Sequence, residues 1–171
     1  MTKRERVLNA FNNKPVDHVP MAFWYHFSPD EDLGQETIDA HINLYREADF
    51  DLIKIMCDGY FNYPNPGIAR IKEAHDWFNL KPLGADHPFI RNQIKRAKGV
   101  VDGVKGECCV FYNVFCPMSL MRFGTSEELL MKHLREDEAA VCHAFTVIAE
   151  DIKALVKGLI EDAGCDGIYY C

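Results

Sequence analysis

The sequence predicts an α/β fold, a parallel sheet of about four strands with flanking helices, equivalent in size to the N-terminal half of a (β/α)8 barrel. Three observations carry this expectation. Four short apolar runs are unbroken enough to be strands buried on both faces, the segments between them repeat their apolar residues at helical spacing, and the two patterns alternate. An open parallel sheet with the same alternation is the competing architecture, and periodicity alone does not separate the two.

Residues 2–13 read as a short helix with Val7, Leu8 and Phe11 on one side, broken by Asn12-Asn13-Lys14-Pro15. His18 to Phe27 is a nearly continuous apolar run and is expected to be the first buried strand. Gly34 to Ala48 carries Ile38, His41, Ile42 and Tyr45 at helical spacing. Phe50 to Cys57 is the second strand, ended by Asp58-Gly59. Lys54 shares a strand face with Asp58, which makes a buried ion pair the expected fate of its amine.

From 60 to 106 the pattern is less regular. An aromatic, proline-containing loop, Tyr60 to Pro66, precedes helical stretches near 67–77 and 87–97 and a turn near 100. Cys108 to Cys116 is the third strand, stopped by Pro117. Thr125 and Glu128 fit a capping box that opens one long helical region reaching about Ala163. Val141, Phe145, Ile148, Ile152, Leu155 and Leu159 form its apolar stripe, and Gly164 is placed to stop it. Cys165 to Cys171 is the fourth strand. No repeat, low-complexity segment or linker divides residues 1–171, so a single domain is expected.

The chain has 171 residues and a net charge of −7, with 48% hydrophobic and 26% charged residues. That balance disfavours a nucleic-acid or anionic-membrane partner, both of which need a basic surface. The charged start lacks the apolar run of a signal peptide, and seven cysteines without a CxxC spacing fit a reduced, cytoplasmic setting.

Several stretches, in order along the chain, resemble the uroporphyrinogen decarboxylase family. They are Thr2 to Phe11 followed by Lys14-Pro15-Val16-Asp17-His18-Val19-Pro20, Phe50-Asp51-Leu52-Ile53-Lys54 leading to Asp58, the junction at Pro117, and Ala163-Gly164-Cys165-Asp166-Gly167-Ile168. The resemblance implies a TIM barrel of which this chain supplies the first half. It also implies one of two chemistries: cofactor-free decarboxylation of uroporphyrinogen, a tetrapyrrole, or methyl transfer between a corrinoid protein and a thiol such as coenzyme M with bound zinc.

By this resemblance Asp58, at the C-terminal end of the second strand, matches an aspartate that binds pyrrole N–H groups and stabilises a cation. A carboxylate suits that role, since it accepts N–H donors and stabilises positive charge. The bland reading of Asp58 is an Asp-Gly turn. His26 is a candidate acid, base or ligand, against the reading of a packed histidine.

Tyr25, Tyr60, Phe61 and Phe123 are candidate substrate-binding aromatics, and Arg122 a candidate anion contact, against a self-packed loop and an exposed helix arginine. The segment Phe23 to Pro29 holds no arginine, where the decarboxylase grips its carboxylates with guanidinium groups, and Phe123 stands where that enzyme has a tyrosine. These departures favour the methyltransferase-like branch. The decarboxylase reading would lean on Arg91, Arg96 or Arg122 instead. A non-catalytic half-barrel that binds a ligand or partner is the third reading.

Cys116, Cys171 and His26 fall at strand ends but have no ligand-spacing motif. No metal ligands are therefore assigned here, and those of a methyltransferase zinc are expected outside this chain. An apolar edge strand at 168–171 implies a homodimer or association with the missing half-barrel.

Overall fold

The computed structural model describes residues 1–171. Three parallel strands lie side by side in chain order: β1 (Leu52–Ile55), β2 (Cys109–Val114) and β3 (Gly167–Tyr170). The register pairs Leu52 with Cys109 and Phe111 with Gly167, so β2 is the central strand. Six helices surround them: α1 (Lys3–Phe11), α2 (Gly34–Ala48), α3 (Pro88–Val104), α4 (Pro117–Gly124), α5 (Glu127–Glu136) and α6 (Glu138–Glu161). Short 3-10 turns occupy Ile68–Arg70 and Ala74–Asn79.

The period-two alternation of β1 and β2 divides the sheet into two unlike faces. Ile53, Ile55, Val110, Tyr112 and Val114 point to one side. There they form the main core with Ile38 and Ile42 of α2, Ile94 and Val100 of α3, and Leu155 and Leu159 of α6. The helices α2, α3 and α6 therefore pack on the same face. A second core lies beside it, where Trp77, Leu80, Met121, Leu130 and Ile148 are fully or almost fully buried and the Trp77 indole donates to His133 Nδ1. On the opposite face of the sheet Leu52, Lys54, Phe111 and Tyr169 meet the N-terminal segment, with Phe11 against Phe111 and Trp24 against Tyr169.

Several expectations need correction. Residues 18–27 form no strand, and Phe23, Trp24 and Tyr25 are more than half exposed. A strand needs a neighbour to pair with, and this run makes one backbone bond to the chain beside it, from the Asp51 N–H to the Met21 carbonyl. The sheet accordingly has three strands rather than four.

The expected capping box of Thr125 and Glu128 does not form: Ser126 caps α5 alone by accepting from the Leu129 N–H, with apolar Leu129 at the third helical position, while the Thr125 hydroxyl donates back to the Met121 carbonyl. The long helical region is two helices, because Asp137 takes the end of α5 and caps α6 through the Ala140 N–H. In α3 the helix runs through the expected turn near 100. Lys54 finds no carboxylate. Its Nζ sits 3.9 Å from the Trp24 ring centre and 3.7 Å from that of Tyr169, a cation–π cage in place of an ion pair. Burial lowers its pKa.

No helix is long and apolar enough to cross a membrane, and all seven cysteines are free.

Candidate functional site

β1 delivers Met56, Cys57 and Asp58 to the C-terminal end of the sheet, and the chain turns there at once. Tyr60 N–H closes the turn on the Cys57 carbonyl at 2.9 Å. Gly59 has φ +78°, and a Cβ there would fall 2.6 Å from Leu33 Cδ2 and 2.9 Å from the Asp32 carbonyl oxygen. Only glycine fits such a corner. The turn fixes Asp58, which is 4% exposed.

Both oxygens of Asp58 are engaged. Oδ1 lies 2.8 Å from His26 Nδ1 and Oδ2 accepts the Phe27 N–H at 3.2 Å. The expected Asp58-Gly59 turn is thus present, and the Asp58 carboxylate stands at the strand end without facing solvent. His26 does face it, with a side chain 61% exposed. With Nδ1–H donated to Asp58, the neutral ring presents Nε2 outward as an acceptor.

An aromatic wall stands beside this pair. Phe61 stacks at 6.1 Å from the His26 ring, 5.4 Å from Phe115 and 6.1 Å from Phe123, and Phe115 meets Phe123 edge-on at 5.0 Å. Arg122 lies over the Phe123 ring at 5.2 Å and pairs with Glu127 at 3.5 Å, so its charge is partly spent on its own helix pair. His26, Asp58, Phe61, Phe123 and Arg122 therefore come together.

Tyr60 turns the other way, edge-on to Phe89 and with the Arg96 guanidinium 4.7 Å from its ring centre. Tyr25 is not part of the cluster. It packs edge-on against Phe27 and looks over α2, beside Leu44 and Glu47. Neighbours along an extended segment point to opposite sides, and His26 took the inner one.

Phe115 is the wall residue that sequence reasoning missed. The available signal was its place at the end of the third apolar run, two residues before Pro117. At the same edge Cys116 begins α4. Burial alone would raise its thiol pKa, but hydrogen bonds from the Ser119 hydroxyl and the backbone N–H groups of the first turn outweigh burial and lower it.

Beneath the pair, His41 is held neutral. Its Nδ1–H donates to the Thr37 carbonyl at 2.6 Å and its Nε2 accepts the Met56 N–H at 3.0 Å. Burial pushes its pKa down to about 4. The Phe27 ring packs edge-on to it at 4.7 Å, which anchors the His26 segment to α2.

No three His, Cys, Asp or Glu side chains of this chain converge to hold a metal ion. The C-terminal ends of β2 and β3 do bring Cys116 and Cys171 together, with the Cys116 N–H on the Cys171 carbonyl at 2.6 Å.

No protein-family model matches this chain, and no curated protein matches it.

Proposed function

We propose that this chain is the N-terminal half of a (β/α)8 barrel of the uroporphyrinogen decarboxylase family, belonging to its methyltransferase-like branch. The observation that carries the reading is the His26–Asp58 pair, fixed at the C-terminal end of a parallel strand beside an aromatic wall. Barrel enzymes build their chemistry at that end. The sheet order supports a barrel over an open doubly wound sheet, since consecutive strands are neighbours and α2, α3 and α6 cover one face. The other face, lined by Leu52, Lys54, Phe111 and Tyr169, corresponds to the lumen of a closed barrel. Its completion by further strands, or by a second copy of the chain, belongs to the same proposal.

In this reading His26 is the group that meets the substrate. Its Nε2 accepts a proton from, or returns one to, a bound thiol or other acid. Asp58 orients the ring and stabilises the imidazolium, as a buried carboxylate does behind a catalytic histidine. Phe61, Phe115 and Phe123 offer a flat apolar surface to a corrinoid or another planar ligand.

The decarboxylase alternative needs guanidinium groups for substrate carboxylates. Arg91 faces Asp162 at 3.6 Å and Arg122 faces Glu127 at 3.5 Å, so of the three arginines open to that reading only Arg96 is without an ion pair, which leaves it weaker support. A zinc ion in this branch would supply a Lewis acid that activates the thiol, and its ligands would come from outside this chain.

The test is turnover by the natural gene product that carries this chain, given zinc, methylcobalamin and 2-mercaptoethanesulfonate, followed by the absorbance change of corrinoid demethylation. The reading expects thiol-dependent demethylation, with kcat/KM lowered about 100-fold by His26→Ala, as for loss of a general acid–base. Coproporphyrinogen formed from uroporphyrinogen would select the decarboxylase instead. Absence of both activities from folded protein would overturn the enzymatic assignment.

A further inference from the structure

Arg96 is 3% exposed, yet it takes part in none of the molecule's ion pairs. Its Nη1 donates to two neutral carbonyls, Asp58 at 2.9 Å and Asp32 at 3.2 Å, and its Nη2 to the Tyr112 hydroxyl. Burial raises the pKa of that tyrosine, so it too stays neutral. Nε is buried and has no acceptor. Buried charges in proteins are normally paired, because stripping water from an ion costs several kcal/mol. This guanidinium forms no ion pair with a carboxylate of the chain, the Asp58 carboxylate nearby being taken by His26 and the Phe27 N–H.

Arg96 borders a recess of about 340 Å³ between the start of α2 and the flank of α3. Lys95 and Asn92 of α3 and Gln35 of α2 line it with Tyr60. The N-terminus of α2, fifteen residues long, opens into the same space, and its N-cap residue Leu33 supplies no side-chain oxygen. First-turn N–H groups have no partner within a helix, and they carry the positive end of its dipole. Two cations, an uncapped helix start and the Asn92 amide thus converge on one hollow, together with Gln35, whose Nε2 gives one of its two hydrogens to Asp39 at 2.9 Å. Glu36, whose Oε2 would lie 2.7 Å from a Cβ on Gly34 and which forms no ion pair of its own, stands at this helix start.

We infer that this recess is a binding site for a small anion, a carboxylate or a phosphate, free or as the acidic group of a larger ligand. The guanidinium supplies the buried charge, while Lys95, Asn92, Gln35 and the N–H groups of α2 supply direct donors. Glu36 occupies part of the positive end and is displaced by the ligand. Arg96 also holds the Asp58 carbonyl, so the anion and the His26–Asp58 pair share one anchor. The inference does not rest on the barrel family, since α2, α3 and the Asp58 turn form the site by themselves.

Calorimetric titration of the whole chain with sodium phosphate, and separately with sodium acetate, at constant ionic strength tests it. Saturable binding is expected for at least one. Lys95→Gln should weaken it about fivefold and Glu36→Gln tighten it, as expected for one contact charge removed in each direction, while His26→Ala should leave it unchanged. Preference between the two anions identifies the ligand group. Arg96→Lys, checked for folding by circular dichroism, keeps the charge but loses the fork and should bind more weakly. Absence of saturable binding of either anion, or affinity indifferent to both Lys95→Gln and Glu36→Gln, would overturn the inference.

Discussion

The two ends of the sheet use charge in opposite ways. At the N-terminal end every strong group is answered by its opposite. Arg6 donates to Asp17 from Nε at 2.6 Å and Nη2 at 2.8 Å, and to buried Asp51 at 2.5 Å. Arg4 takes Asp166 with both terminal nitrogens. The carboxylates also bind backbone: Asp51 accepts the Met21 N–H at 2.8 Å on its other oxygen, and Asp166 Oδ2, already held by Arg4, accepts the Val110 N–H at 2.9 Å. These contacts raise the arginine pKa values and hold Asp17 well below the usual carboxylate range.

At the C-terminal end the same residue types are left with free valences. His26 presents Nε2 to solvent, Arg96 forms no ion pair, and Cys116 carries a lowered thiol pKa. One end closes the structure by mutual satisfaction; the other holds unused donors and acceptors, which is the condition for binding something else.

The largest effect expected from breaking this contrast is at Asp51. Asp51→Ala removes the buried partner of Arg6 and the acceptor of the Met21 N–H together, leaving a buried guanidinium and the 18–27 segment without their anchor. It should lower the urea midpoint more than any single substitution at the opposite end. A midpoint within error of the parent would erase the distinction between the ends.

A second effect is set by pH and belongs to the C-terminal end. The folded pKa of His41, about 4, lies below the ordinary histidine value of 6.5, so as pH falls the unfolded chain takes up this proton first. The contribution is complete above about pH 6.5 and declines until about pH 4, a loss on the order of 3 kcal/mol for this burial. Urea midpoints across that window should fall with pH, and His41→Gln should flatten the slope. An unchanged slope would place the neutral histidine elsewhere.

What the sequence made legible follows the range of the interactions concerned. The α2 helix and the α6 stripe were readable because periodicity is local, and Val141, Ile148, Leu155 and Leu159 are buried as their spacing requires. Asp58 was readable because a polar residue after a buried strand stands at a predictable end.

The 18–27 run was misread because burial of a strand depends on its neighbours, which its own composition does not encode. Lys54 was misassigned for a similar reason: Trp24 and Tyr169, far apart in the chain, take the place of a carboxylate. The break at Asp137 was visible in principle, since Asp ahead of Glu-Ala-Ala is an N-cap signal, but the longer apolar stripe concealed it. The isolation of Arg96 lay beyond sequence reading, because a missing partner is a property of the folded surroundings.

The smallest effect is the most discriminating. His26 is largely exposed, so its bond to Asp58 resembles surface pairs, which are worth about 0–1 kcal/mol. His26→Ala should therefore change stability by less than about 0.5 kcal/mol. Asp58→Ala should cost more, on the order of 1–3 kcal/mol, because it strands the part-buried Phe27 N–H as well. A double-mutant cycle should return a coupling of about 0.5–1 kcal/mol between them. If instead His26→Ala destabilises the chain as much as Asp51→Ala does, the pair is a structural clasp like Arg6–Asp51, and the C-terminal end has no spare chemistry at that position. If stability barely moves while ligand binding or turnover collapses, the histidine is held there for what it meets outside the fold.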